Sequence, residues 1–255
     1  MSRDVCEGVR SSFDYSRARL AQELLRSRLR LGGLEDLRRV RVFVGVDAAY
    51  WYAGDVQYGV GVAVAVDRQL ELVGCRYVVR PVCIPYVPGF LAFREMEVLA
   101  PALLRARREG LLGGGTAVLV VDGHGIAHPR GLGIASHLGV AFGLPSVGVA
   151  KGLLVGRVGP CELGECIFVG DMAVGVVLRA GRRELYVSPG NVLTLAQSLE
   201  LARGLLRPGT PLPVPLLLAD RVSKSLRGSF KAAPGRAGPE GRCEEEALRV
   251  LRAVR

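Results

Sequence analysis

Lysine, histidine and tryptophan are nearly absent from this chain. Lysine occurs only at 151, 224 and 231, histidine only at 124, 128 and 137, and tryptophan once. The 34 Lys+Arg residues are therefore almost all arginine, whose planar guanidinium can meet two phosphate oxygens at once. Against 24 Asp+Glu they leave a formal net charge of +10, which favours anionic partners, nucleic acid first; a merely basic soluble surface fits the charge equally well. No apolar run approaches the ~20 residues of a membrane span. The N-terminal MSRDVCEGVR has no apolar core of a signal peptide, so the expected location is the cytoplasm, with no membrane partner. The six cysteines, at 6, 75, 83, 161, 166 and 243, include no CxxC and no zinc spacing with histidine. Cys75 and Cys83 sit in strand-like apolar runs, where buried free thiols are expected. Cys161 and Cys166 are near enough in sequence to form a short-loop disulfide.

What is present is apolar periodicity. With 255 residues and 49% hydrophobic content the chain can bury a substantial core. Residues 13–32 carry apolar positions at helical spacing between arginines and predict a basic amphipathic helix. Strand-like runs follow at 40–47, 58–67 and 70–79; the polar turn joining the last two predicts antiparallel pairing. Residues 91–109 predict a helix, 117–122 a short buried strand, 133–143 a small-residue helix and 145–151 a strand. Three more strand runs lie in 165–187, with helices over 192–206 and 215–226. The Gly/Pro/Arg-rich 227–242 predicts a flexible linker before a short C-terminal helix. The fold class is α/β: a mixed sheet, three antiparallel strands leading into a parallel section, flanked by helices. One domain over 1–226 is expected, with 227–255 as linker and terminal helix, and there is no internal repeat.

Three carboxylates stand out in that order. Asp47 ends the first strand, Glu95 lies in the early turns of the first long helix, and Asp122 ends the fourth strand. Strand ends of an open sheet face the crevice where ligands bind. If strands one and four are neighbours, these acids converge, and like charges so close call for a cation between them. Hard oxygen ligands favour Mg²⁺ or Mn²⁺ over zinc. Each acid alone reads more readily as an ordinary strand-end or first-turn residue. Together they have the acidic layout of a ribonuclease-H-like nuclease.

FVGVDAAY (43–50), PYVPGFLAFRE (85–95), VDGHGIAHPRGLGIASHLGV (121–140) and PSVGVAKGLLVG (145–156) resemble the consecutive motifs of endonuclease V. ELYVSPGN (184–191) and LLLADRV (216–222) resemble its weaker C-terminal signatures. The resemblance implies a ribonuclease-H-like fold and an endonuclease of DNA repair. Such an enzyme uses Mg²⁺, with Mn²⁺ as substitute, to hydrolyse the second phosphodiester bond 3′ of deoxyinosine. It leaves a 5′-phosphate, a 3′-hydroxyl and the base in place. Asp47 and Asp122 would hold the metal, Glu95 would help hold it and its water, and Lys151 would offset charge at the attacked phosphate. Tyr86 would be the wedge of the loop containing Pro88 and Gly89, stacking where the flipped base was. Leu91, Gly123, His128, Gly133 and Ile134 would form or border the base pocket, with His128 fixing its loop or contacting the substrate, and Arg130 would reach a phosphate or form a surface ion pair. Main-chain N–H groups there can satisfy hypoxanthine, while the 2-amino group of guanine would lack a partner. His124 stands where the family has glutamine or a similar polar residue, with its role open, and His137 reads as a packed core residue. Asn191 replaces the histidine usual after YVSPG, at a position expected near the metal. The partner expected is deoxyinosine DNA, met by a monomer. Inosine RNA, and binding of inosine with weak cleavage, are the alternatives.

Overall fold

Valine-rich strands and small-residue helices assemble around one sheet. The computed structural model describes residues 6, 13–113, 116–232 and 240–254. Helix α1 (Tyr15–Arg26) is capped by Asp14, whose carboxylate accepts the Ser16 and Arg17 amides. Strands β1 (Val42–Ala53), β2 (Val56–Val66) and β3 (Leu72–Pro81) form an antiparallel meander. Then come α2 (Leu91–Arg108), β4 (Ala117–Asp122), α3 (Ile134–Phe142) and β5 (Ser146–Ala150). Strands β6 (Arg157–Cys161), β7 (Gly164–Val169), β8 (Met172–Ala180) and β9 (Arg183–Asn191) precede α4 (Leu195–Gly204) and α5 (Val214–Ala232). β10 (Glu240–Arg242) and α6 (Glu244–Arg252) complete the chain. The strand order is β10-β3-β2-β1-β4-β5-β9-β8-β7-β6. β4 runs parallel to both β1 and β5, and the other neighbours are antiparallel. This is the mixed sheet expected from the sequence.

Both faces of the central strands are buried, which is why they read as unbroken apolar runs. On β1, Val42, Val44 and Val46 pack with Ala92, Leu99 and Leu103 of α2 and Leu138 of α3. Phe43, Ala49 and Trp51 face the other way, into a core with Leu199 of α4, Leu216 of α5 and Leu251 of α6. A glycine on each face brings a helix unusually close. A Cβ on Gly45 would lie 2.0 Å from the Pro215 carbonyl oxygen of α5, and one on Gly61 2.3 Å from that of Val98 on α2. Backbone touches backbone at both points, so each helix's height over the sheet is set there.

Several boundaries differ from expectation. β1 continues beyond 47 to Ala53 because β2 pairs with it throughout, whereas its pairing with β4 stops at Val46↔Val121. Asp47 is therefore not a strand end but the first β1 residue beyond the partnership with β4. The largely exposed β6, RVGPC, has no hydrophobic period to announce it; pairing with β7 makes it a strand. α1 stops at Arg26 rather than near 32, and α5 runs past 226 to Ala232. Of the anticipated linker, 240–242 is strand β10 beside β3, and 233–239 lie outside the described residues. The terminal helix is present as α6.

The cysteine expectation is corrected. Cys75 and Cys83 are not free thiols: the bonds are Cys6–Cys83, Cys75–Cys243 and Cys161–Cys166. The first two close sequence separations of 77 and 168 residues, invisible to any local pattern. β10 carries Cys243 to β3, where its amide donates to the Cys75 carbonyl at 3.2 Å. Next to it the buried Arg76 pairs with Glu109 at 2.6 Å and with Glu244. Among the described residues no helix is long and apolar enough to cross a membrane.

Candidate active site

Side-chain alternation decides where the acids point. Asp47 shares the face of Phe43 and Gly45, and Asp122 that of Val118 and Val120, so both emerge beneath α5. Because Gly45 lets α5 press onto β1, the next turns of that helix reach the end of β4. There Asp220 joins them: one oxygen of each of Asp47, Asp122 and Asp220 lies within 4.8 Å of the others. Ser223, one turn on, donates its hydroxyl to Asp47 and to the Asp220 carbonyl, the latter at 3.0 Å. Lys151, just past β5, sets its Nζ 2.5 Å from Asp122 and 3.4 Å from Asp220. Lys224 approaches Asp220 from the solvent side at 2.7 Å. Asp220 and Ser223 were not singled out from the sequence. The signal for Asp220 was LLLADRV itself, in which an aspartate follows three leucines that α5 buries; Ser223 lies just past that block.

Burial pushes Asp47 up to about 6; the Ser223 hydrogen bond opposes that shift, while the Asp122 and Asp220 charges add to it. Burial, then the charges of Asp47 and Asp122, push Glu95, on α2, up to about 8; Glu95 is not among the three carboxylates gathered within 4.8 Å. Burial also acts on Asp220 and Lys151, but is overcome. The Lys224 and Lys151 contacts hold Asp220 below its ordinary range, and Asp122 and Asp220 hold Lys151 above its own. A nest of hard oxygens in which Asp47 and Glu95 still feel like-charge repulsion is the chemistry a small divalent cation fits.

A dependence of stability on pH follows. Asp47 and Glu95 titrate higher in the native state than unfolded, so the native state binds more protons and is favoured at low pH. Their contribution is complete below about pH 4 and is lost as pH rises through about 6 and then about 8. The thermal midpoint of cation-free protein is expected to fall between about pH 5 and pH 8.5, and Mg²⁺ added at the upper end should restore it. Scanning calorimetry with and without Mg²⁺ checks this; a midpoint indifferent to the cation at high pH would contradict the assignment.

Tyr86 is exposed, at 63%, on the loop between β3 and α2; Pro88 is exposed beside it and Leu91 opens α2 partly buried. Gly89 has φ +81°, and its carbonyl accepts from Gln22 at 3.0 Å and from Arg130. Arg130 also donates to the Gln22 side chain at 2.5 Å and lies 4.4 Å over the Phe90 ring. Arg130 thus ties the Tyr86 loop to α1. In the loop after Asp122, Gly123 has φ +144°, and a Cβ there would meet Ile134 at 2.5 Å. Gly133 caps α3 and lies so close to the His124 carbonyl, 2.2 Å from a would-be Cβ, that no side chain fits. His128 accepts the Arg130 amide at 3.2 Å, and burial pushes it down to about 4, leaving it neutral at pH 7. His137 is buried edge-on to Phe93, with ring centroids 5.3 Å apart.

Asn191 does not join the acids. It pairs with Ser146 at the start of β5, while Asp122 pairs with Val149, three steps or roughly 10 Å further along. Its buried amide accepts from the Arg30 amide at 3.2 Å and donates to the Gly139 and Leu144 carbonyls at 3.2 and 3.1 Å. The resemblance implied a position near the metal, but β9 runs antiparallel to β5 and so ends at the far side. Asn191→Ala is expected to cost about 1–3 kcal/mol of stability through stranded polar groups and to leave the catalytic rate of folded protein unchanged. A fall in kcat with an unaltered thermal midpoint would restore it to the site.

The family model for Endonuclease V matches residues 23–221. Endonuclease V of Aeropyrum pernix is 45% identical over 220 residues, covering 86% of this chain and 82% of that protein. Among solved structures, endonuclease V of Bacillus subtilis is similar at TM-score 0.77 and 27% identity, covering 88% of this chain and 96% of that one. The Ciona intestinalis enzyme, solved with a 24mer DNA containing an inosine followed by a ribo-adenosine, shares the fold at TM-score 0.72 and 23% identity, covering 85% and 98%.

Proposed function

The chain belongs to the endonuclease V family and is a nuclease; from that premise we propose that it is a Mg²⁺-dependent deoxyinosine endonuclease of DNA repair. The observation that carries this reading is the convergence of Asp47, Asp122 and Asp220 with Lys151 at the end of β4. The basic, arginine-rich chain supplies the attraction to a phosphate backbone.

Asp47, Asp122 and Asp220 would hold the cation, with Glu95 reaching in from α2. When bound there, a divalent cation supplies Lewis-acid polarisation of the phosphate; Mn²⁺ has the same ligand preference and should substitute. Glu95 orients the attacking water. Lys151 Nζ offsets the negative charge that grows on the phosphate oxygens. Water attacks phosphorus and the bond to the 3′ oxygen breaks, so one product ends in a 3′-hydroxyl and the other in a 5′-phosphate. Tyr86 stacks into the gap left by the extruded hypoxanthine, which enters the pocket bordered by Leu91, Gly123, His128, Gly133 and Ile134. Pro88 and Gly89, braced by Arg130, hold the loop that carries Tyr86. The scissile bond is the second phosphodiester 3′ of the lesion.

An end-labelled strand with a single inosine, prepared as DNA and as RNA and incubated with Mg²⁺ or EDTA, tests the reading. The DNA should be nicked at that bond, with a ligatable 5′-phosphate and no free hypoxanthine, and EDTA should abolish the nick. Release of free hypoxanthine would replace the nuclease by a glycosylase, binding without cleavage would leave only an inosine reader, and faster cutting of the RNA would move the substrate class to inosine-containing RNA.

A further inference from the structure

Beside the carboxylate nest one buried hydroxyl has no partner. Tyr50 follows Asp47 by three residues on β1 and so projects from the opposite face, toward α2. Its phenolic oxygen is shut off from solvent and bonded to nothing, although buried polar atoms nearly always find partners. The ring is confined. The Arg94 guanidinium lies 4.5 Å from its centroid, and Arg94 is itself pinned to Gln57 at 2.8 Å and to the Ile84 carbonyl at 3.2 Å. On the β2 side a Cβ at Gly59 would come within 3.0 Å of the ring. The hydroxyl therefore cannot swing out to water.

Of the carboxylates whose charges reach it, those of Glu95, Asp47 and Glu97, Glu97 is engaged by the Cys83 and Ile84 amides, and Asp47 takes the Ser223 hydroxyl on the other face of the sheet. Glu95, next to Arg94 on α2, is the acceptor left. We infer that Tyr50 is a positioning residue: partnerless without a cation, its hydroxyl donates to the Glu95 carboxylate when Glu95 joins Asp47 and Asp122 around one, and so fixes which oxygen Glu95 presents. The inference rests on the cation site proposed above. Partners that orient metal-holding carboxylates strongly influence affinity for the metal itself, so the effect is readable without DNA.

Mn²⁺ titration of the DNA-free full-length protein, followed by electron paramagnetic resonance, compares wild type, Tyr50→Phe and Asp47→Asn. Tyr50→Phe keeps the ring and the Arg94 stack, so its thermal midpoint should match wild type while Mn²⁺ binds roughly tenfold to a hundredfold more weakly. In nicking assays its kcat should fall at low Mg²⁺ and recover at high Mg²⁺, with KM for the inosine strand unchanged; a merely structural role would not be rescued by the cation. Undiminished Mn²⁺ affinity in Tyr50→Phe, alongside weakened binding in Asp47→Asn, overturns the Tyr50 assignment alone. Wild-type protein that binds no Mn²⁺ overturns the cation site and the Tyr50 assignment with it.

Discussion

Asp122→Ala is expected to slow cleavage of inosine-containing DNA by roughly a thousandfold or more, at or beyond the upper end for loss of one electrostatic contact in an active site. Asp122 is the hub of the nest. It shares a 4.8 Å sphere with Asp47 and Asp220, and it anchors Lys151 at 2.5 Å. Its removal takes away an oxygen ligand and at the same time releases the ammonium group meant for the phosphate. Binding of the same DNA should change little, because no positive charge is lost and the phosphate contacts stay. Nor should the loss reflect unfolding: deleting one of several crowded carboxylates relieves repulsion, so the cation-free protein should melt no lower than wild type. Single-turnover nicking, fluorescence anisotropy and calorimetry separate the three quantities. Cleavage within tenfold of wild type would sink the assignment of Asp122 to the reacting centre.

The second large effect is on stability. Breaking Cys75–Cys243, by reduction or by Cys75→Ser with Cys243→Ser, opens a loop of 168 residues. In the chain-entropy account that releases roughly 5 kcal/mol, which for a protein of this size lowers the melting temperature by roughly 10–20 °C. Cys161–Cys166 closes a separation of only 5, and its loss should cost roughly 2 kcal/mol in the same account. The long bond also holds α6 where Glu244 meets the buried Arg76, and a buried guanidinium robbed of a carboxylate is costly. Calorimetry of the double variant checks this, and a shift below about 3 °C would show that the sheet and helices hold the C-terminal segment without the bond.

Local patterns revealed those elements and acids whose causes are local. Alternating and continuous apolar runs announced the central strands, and motif blocks marked Asp47, Glu95, Asp122 and Lys151. Features set by distant parts of the chain were not legible. Asp220 belongs to the cluster because α5 crosses β1 at Gly45, and nothing in a helix's own sequence states where it will cross a sheet. The resemblance put Asn191 near the metal, in the place of a histidine, yet the antiparallel direction of β9 carries it away from the acids. β1 outran its predicted end because β2 supports it where β4 does not. The long disulfides failed for the same reason: Cys75 and Cys83 have ordinary apolar neighbours, and their partners arrive only through folding.

Strand β10 has only three residues, Glu240–Arg242, yet it lies along the outermost face of β3. Uncovered, β3 would offer another molecule a row of unpaired amides and carbonyls beside valine and tyrosine side chains, a template for edge-to-edge aggregation. A very short strand with a charged residue at either end blocks that template and is itself too short and too charged to recruit a neighbour. A chain trimmed at 226, close to where the family match ends at residue 221, would retain the whole carboxylate nest but bare this edge, together with the unpaired sulfur of Cys75. Among its described residues the C-terminal segment thus covers the open edge of the sheet and lies outside the carboxylate cluster.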